Sequence, residues 1–171
     1  MKDAEINYSV AKRDSKYYIF DWDNNILHMP THIHLEKRQP DGTWEPVTVT
    51  TEEYSRIRRD TETYRPPGGD WEKAFREFRD IDDADVNVFI RDTERAIDRV
   101  VRGERRAGPS FRIFRNVLVE GRLFAIVTAR GHSPGVLRDG VLYFIRHVLT
   151  YDEMARMLAN LRGYLECFEP G

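Results

Sequence analysis

The sequence predicts an α/β fold, a Rossmann-like parallel sheet with a mainly helical insertion. Three observations predict it. Two short apolar runs, Tyr17-Tyr18-Ile19-Phe20 and Leu123-Phe124-Ala125-Ile126-Val127, each stop abruptly in polar residues. Continuous apolar runs of this length suit parallel strands buried on both faces. Half of the charged side chains crowd into residues 52–106, which marks a solvated insertion between more apolar flanks. Around the two runs, apolar residues recur at helical spacing, as expected of helices that pack on a sheet.

The elements follow in order. The first run ends in Asp21-Trp22-Asp23-Asn24-Asn25, and open parallel sheets bind ligands at this carboxyl end of their strands. A hairpin comes next. Ile33 and Leu35 alternate with polar neighbours, as do Val47 and Val49, and Pro40-Asp41-Gly42 between them fits a turn. Thr50 with Glu53 forms a capping box for a helix over about 51–59. Pro66-Pro67-Gly68-Gly69 is a loop. Asp70 can cap a helix whose apolar face is Trp71, Phe75 and Phe78. Residues 88–102 carry Phe89, Ile90, Ile97, Val100 and Val101 at helical spacing. Ser110 can cap a helix with Phe111, Phe114, Val117 and Leu118 inward and Gly121 as its stop. After the second run, helices are expected over about 134–148 and 151–164, with Thr150 and Glu153 as a second capping box.

Composition narrows the function classes. The 171 residues give room for one domain with an insertion, and 40% apolar residues suffice for a core. No run of 18 apolar residues is present, and Met1-Lys2-Asp3-Ala4-Glu5 lacks the apolar stretch of a secretion signal. The single cysteine, Cys167, excludes an internal disulfide framework and a multi-cysteine zinc site. These features point to a cytoplasmic protein without membrane contact. A net charge of −2 gives no global basic field for nucleic acid. Acidic residues such as Asp80, Asp82, Asp83 and Asp85 lie among the basic clusters Arg56–Arg59 and Arg102–Arg106, so those read as solvated helical faces. No GxxxxGK[ST] motif is present, which argues against a P-loop nucleotide hydrolase.

The two strand ends carry the chemistry. Asp21 and Asp23 lie one residue apart beyond the first run, and in a loop that curls away both can reach one small volume. Two carboxylates so close repel, and a cation such as Mg²⁺ relieves the repulsion. One can then attack phosphorus while the other donates a proton to the leaving group. Thr128 ends the second run. Its hydroxyl, with the backbone N–H groups of Ala129 and Arg130, can hold phosphoryl oxygens.

Together these segments resemble a known family. Tyr17-Tyr18-Ile19-Phe20-Asp21-Trp22-Asp23-Asn24-Asn25-Ile26-Leu27 is similar to the first motif of the haloacid dehalogenase (HAD) superfamily, and Leu123–Gly131 is similar to its second. A helix ending in Val119-Glu120-Gly121 before the second motif fits the same pattern. The resemblance implies a HAD-type core over 1–30 and 110–171, with a flap hairpin and helical cap over 31–109. It implies a Mg²⁺-dependent phosphohydrolase acting on a phosphorylated small molecule through an aspartyl phosphate. Asp21 matches the nucleophile and metal ligand. Asp23 matches the general acid/base, with its backbone carbonyl on the metal. Thr128 matches the phosphate-binding hydroxyl.

Two departures stand out. Asn25 replaces the usual Thr or Val, and the third and fourth motifs are missing. The third supplies a Lys, sometimes an Arg. Of 22 Arg and 5 Lys, no Lys follows Lys73, and Arg146, Arg156 and Arg162 have no motif around them. The fourth supplies acids after a buried strand. Asp139, Asp152, Glu153, Glu166 and Glu169 follow none, and Asp152-Glu153 reads as a helix start. The chain is therefore expected to be either an incomplete core, lacking its carboxy-terminal strands, or a degenerate member that binds without catalysing. Four of the five histidines stand out by position. His32 and His34 can face one way on a strand as metal ligands do, His28 follows the first motif, and His132 can line the phosphate pocket beside Arg130.

Overall fold

The protein is a mixed α/β protein with a small parallel sheet, seen in a computed structural model that describes residues 16–80 and 87–165. Strands are β1 (Tyr18–Phe20), β2 (His32–Arg38), β3 (Trp44–Thr50), β4 (Tyr64–Arg65) and β5 (Phe124–Ile126). Helices are α1 (Thr51–Ile57), α2 (Trp71–Ala74), α3 (Val88–Val101), α4 (Phe111–Val119), α5 (Pro134–Val148) and α6 (Tyr151–Leu165). The sequence landmarks Met1–Glu5, Asp82, Asp83, Asp85, Glu166, Cys167 and Glu169 lie outside the described residues. Among the described residues no helix is long and apolar enough to cross a membrane. The chain divides into two units, one of Met1–His28, Val100–Thr128 and Leu142–Gly171, the other of Met29–Arg99 and Ala129–Val141.

In the first unit β1 and β5 pair in parallel, with Tyr18 opposite Phe124 and Phe20 opposite Ile126. One face of the pair packs on α4. The fully buried Phe114 ring meets Phe20 at 5.1 Å and Phe124 at 5.3 Å, both edge-on, and meets Phe144 of α5 at 5.0 Å. The other face departs from the expectation of strands buried on both sides. Ile19, Leu123 and Val127 are 66%, 55% and 59% exposed. The alternation of a strand sends Ile19 away from α4, and no described element covers it there.

Gly121 stops α4 as expected. Its φ is +61°, its N–H donates to the Leu118 carbonyl, and the Arg122 N–H donates to the Val117 carbonyl. That pair of bonds is a Schellman motif. Ser110 does not cap α4 by its side chain, because its backbone is already helical at φ −94° and ψ −1°. An N-cap side chain reaches the first turn from extended backbone. At the start of α6 the capping box is complete: Glu153 Oε2 accepts from the Thr150 N–H at 2.9 Å, and the Glu153 N–H donates to Thr150 Oγ1. Glu153 also accepts from Arg115 at 2.8 Å, which ties α6 to α4.

The second unit holds a three-stranded antiparallel sheet in the order β3-β2-β4. The hairpin register sets Ile33 against Val49 and Leu35 against Val47. Gly42 takes φ +85° in the turn, and Asp41 accepts from the Thr43 N–H at 2.9 Å. Pro46 is tolerated because β3 is an edge strand. Ile33, Leu35, Val49 and Ala74 form a buried cluster. The Thr50–Glu53 capping box starts α1.

Two helices differ from expectation. The face of Trp71, Phe75 and Phe78 lies on the single turn α2 followed by a 3₁₀ turn over Arg76–Phe78, since Phe75 leaves helical geometry at φ −101° and ψ 23°. In α3 the buried stripe is Phe89, Asp92, Thr93, Ala96 and Ile97, while Val101 is exposed. Two polar residues thus stand where only apolar ones were expected.

Candidate functional site

The parallel register sets the geometry of the candidate site. Phe20 is the last residue of β1 and pairs with Ile126, the last of β5. The Val127 N–H donates to the Phe20 carbonyl at 2.8 Å. Asp21 and Thr128 therefore leave the sheet at the same end of neighbouring strands, which run roughly 5 Å apart.

Between the two aspartates, Trp22 is fully buried and meets Phe114 edge-on at 6.2 Å. This anchor leaves Asp21 exposed and Asp23 half-buried. The chain then curls back. Asn24 adopts the left-handed conformation at φ 55° and donates its N–H to the Leu27 carbonyl at 2.7 Å. Asn is among the few residues that tolerate this conformation. The N–H groups of Ile26 and Leu27 both donate to the Trp22 carbonyl at 3.2 Å. His28 Nδ1 lies 3.1 Å from Asn24 Oδ1, so it braces the loop.

Residues Gly108 and Ser110 back the same loop. The Gly108 N–H donates to the Ile26 carbonyl at 3.0 Å, and the Ser110 N–H donates to the Asn25 carbonyl at 2.9 Å. A Cβ on Gly108 would collide with the Asn25 carbonyl oxygen and stand 2.7 Å from the Ile26 oxygen. Only glycine permits that approach. Gly108 belongs to no motif that stands out in the sequence.

Beyond Thr128 the chain enters the second unit, where it is stitched to Phe78–Asp80. The Gly131 N–H donates to the Phe78 carbonyl at 2.8 Å, and Arg79 bridges Gly131 in parallel. The Asp80 carboxylate accepts from the Ser133 N–H at 2.8 Å and lies 2.8 Å from His132 Nδ1. Asn87 donates to it at 2.7 Å. Burial pushes the Asp80 carboxyl up, but the hydrogen bonds from Ser133, His132 and Asn87 outweigh it and lower the pKa to about 2.

Arg130 turns inward within this unit. Its residue is 6% exposed, and its Nη2 donates to Thr31 Oγ1 at 2.8 Å. Thr31 in turn donates to Asp92 Oδ2 at 2.7 Å, and Arg91 donates to Asp92 Oδ1 at 3.1 Å. The guanidinium also lies over the Phe78 ring at 4.6 Å. The side chain of Arg130 is thus a buried anchor for the segment after Thr128. Ala129 is exposed. The readable signal for Asp92 was an acid inside an apolar helical stripe; nothing in the sequence pointed to Thr31.

The remaining histidines have side-chain partners. His34 Nε2 lies 2.6 Å from Glu77 Oε1, and Arg76 approaches its Nδ1 at 2.9 Å. The side chain of His132 is fully buried, with its ring 5.2 Å from that of Phe89. The His32 N–H donates to Glu77. Among the described residues no three of His, Cys, Asp or Glu converge on one point. The oxygen donors of Asp21 and Asp23 still fit Mg²⁺, which is commonly held by one or two carboxylates plus substrate phosphate. Of the late residues, Glu153 serves as a helix cap, and Arg146, Arg156 and Arg162 are exposed on α5 and α6.

No protein-family model, no curated protein and no solved structure matches the chain.

Proposed function

We propose that the chain is a Mg²⁺-dependent phosphohydrolase of the HAD type, acting on the phosphate monoester of a small molecule. The observation that carries this reading is the parallel pairing of Phe20 with Ile126, with Asp21 and Thr128 following at one end of the pair. One phosphoryl group has to touch a nucleophile and an oxygen-binding hydroxyl together. The hairpin β2–β3 and the helices after it take the parts of flap and cap in this reading, over 31–109, and the core is 1–30 with 110–171.

The carboxylate of Asp21 attacks phosphorus in line. The ester P–O bond breaks, and Asp23 gives its proton to the departing oxygen. Asp23 then takes a proton from water, which attacks the phosphorus and frees Asp21 with release of phosphate. The Thr128 hydroxyl and the backbone N–H groups of Ala129 and Arg130 donate to the phosphoryl oxygens throughout. Mg²⁺, held by Asp21 and the Asp23 carbonyl, supplies positive charge to those oxygens when bound.

A second reading is a non-catalytic HAD-like binding or regulatory module. The engagement of Glu153 with Thr150 and Arg115 favours it, since this late acid is held in a helix cap. Release of phosphate from 4-nitrophenyl phosphate decides between them. The enzyme reading expects Mg²⁺-dependent release that Asp21→Asn abolishes. Activity that survives Asp21→Asn, or a folded wild-type chain that releases nothing, rejects it.

A further inference from the structure

The second unit contains a cavity of about 750 Å³. Small-molecule sites fall in the range of roughly 300–1,000 Å³. One side is a cluster of rings. Trp71 and Phe75 stack at 6.0 Å with 28° between their planes. Tyr54 stands edge-on to Phe75 at 5.5 Å, and Phe78 stands edge-on to Phe75 at 5.7 Å. Trp71 is 49% exposed although Ala74, in the same turn, is fully buried. Trp71 therefore lines the cavity with about half of its surface uncovered, backed by Phe75, and an exposed aromatic face of this kind can stack on a ligand ring.

The polar groups narrow the occupant. Asp80 has acceptor bonds to Ser133, His132 and Asn87, so little of its carboxylate is left for a ligand. Glu72 and Arg79 at the rim lie 3.3 Å apart and present one acceptor and one donor side by side. A sugar needs many hydroxyl partners, and this wall offers few. A flat ring with both donors and acceptors on its edge matches a π surface beside a carboxylate–guanidinium pair.

We propose that this cavity binds a planar heteroaromatic ring of the nucleobase type, stacked on Trp71 with its edge toward Glu72 and Arg79. The cavity is also tied to the segment after Thr128. Ala129 and Gly131 line it, and Gly131 is bonded to Phe78, itself a wall residue. A ring held there fixes the Phe78–Asp80 strip to which residues 130–133 are stitched. Binding of the ring stands on the cavity alone. That the ring is carried by the alcohol half of a phosphate ester rests on the phosphohydrolase reading.

The experiment titrates the full chain with adenosine, which carries no phosphate, and with glucose, following tryptophan fluorescence and binding heat. Saturable binding of adenosine but not glucose is expected. Trp71→Ala, a half-exposed position, should weaken it about tenfold or more while leaving the thermal transition in place. Absence of adenosine binding, equal binding of glucose, or undiminished affinity in Trp71→Ala overturns the proposal. Parallel assays with adenosine 5′-monophosphate and ribose 5-phosphate, each with Mg²⁺, keep the two readings apart. Phosphate release without adenosine binding rejects the cavity and keeps the phosphohydrolase. Adenosine binding without phosphate release does the reverse.

Discussion

Arg130 donates a hydrogen bond at 2.8 Å to the hydroxyl of Thr31, a residue 99 positions earlier in the chain. Thr31 relays the contact to Asp92, and both acceptors are essentially inaccessible to water. A buried guanidinium that loses one of its hydrogen bonds keeps its desolvation cost. Thr31→Val preserves shape and removes both bonds, so it should cost about 1–3 kcal/mol of stability. Asp92→Ala removes the charge and should cost about 3–5 kcal/mol. Urea unfolding of both variants tests this, and a loss below about 0.5 kcal/mol in either would show that the relay contributes little.

Asp80 makes stability depend on acid pH. Its carboxyl is lowered from 3.8 to about 2 in the folded chain. A depressed folded pKa means that the unfolded chain takes up the proton first. The stabilisation is therefore full above about pH 4 and is lost as pH falls from 3.8 through about 2. Asp80→Asn should flatten the stability profile in that window relative to wild type. Unfolding midpoints measured at several pH values between 2 and 5 make the comparison, and parallel profiles would refute it.

Two glycines should respond oppositely to alanine. Gly108→Ala forces a methyl against the Asn25 and Ile26 carbonyls, and overpacking of this kind costs about 1–3 kcal/mol. Because Asn25 and Ile26 continue the loop that carries Asp21 and Asp23, any phosphatase activity should fall further than stability does. Gly163, inside α6, has nothing within 4 Å of an added Cβ. Gly163→Ala should stabilise by up to about 1 kcal/mol. Thermal melts of the pair check the contrast.

Glu153→Ala should destabilise the chain by about 1–2 kcal/mol, since it removes both a helix cap and the Arg115 bond. Glu153→Gln keeps the reciprocal cap but loses the charge, so it should recover part of that loss. Equal losses would assign the whole effect to the ion pair.

Local signals in the sequence made much of this architecture legible. Alternation in Ile33, Leu35, Val47 and Val49 fixed the hairpin face, and Thr50–Glu53 and Thr150–Glu153 marked helix starts that the hydrogen bonds bear out. The parallel pair was visible because two apolar runs each end in polar residues. Long-range relations were not visible. From the sequence Arg130 is expected as a phosphate-side group beside Thr128, and its burial shows only once Thr31 is seen to accept from it and to relay to Asp92. A Cβ collision at Gly108 depends on Asn25 and Ile26, far earlier in the chain. Apolar composition alone could not reveal that Ile19 and Val127 face outward, because burial depends on what covers the sheet.

The pairing of Phe20 with Ile126 also has a kinetic consequence. Closing a loop of that length costs about 4 kcal/mol of chain entropy, against about 1–2 for the short β2–β3 turn. The hairpin can form as soon as it is synthesised, whereas β1 has to wait for β5. The pairing of β1 with β5 is therefore a slower step than the hairpin, since contacts between distant parts of a chain form later than local ones.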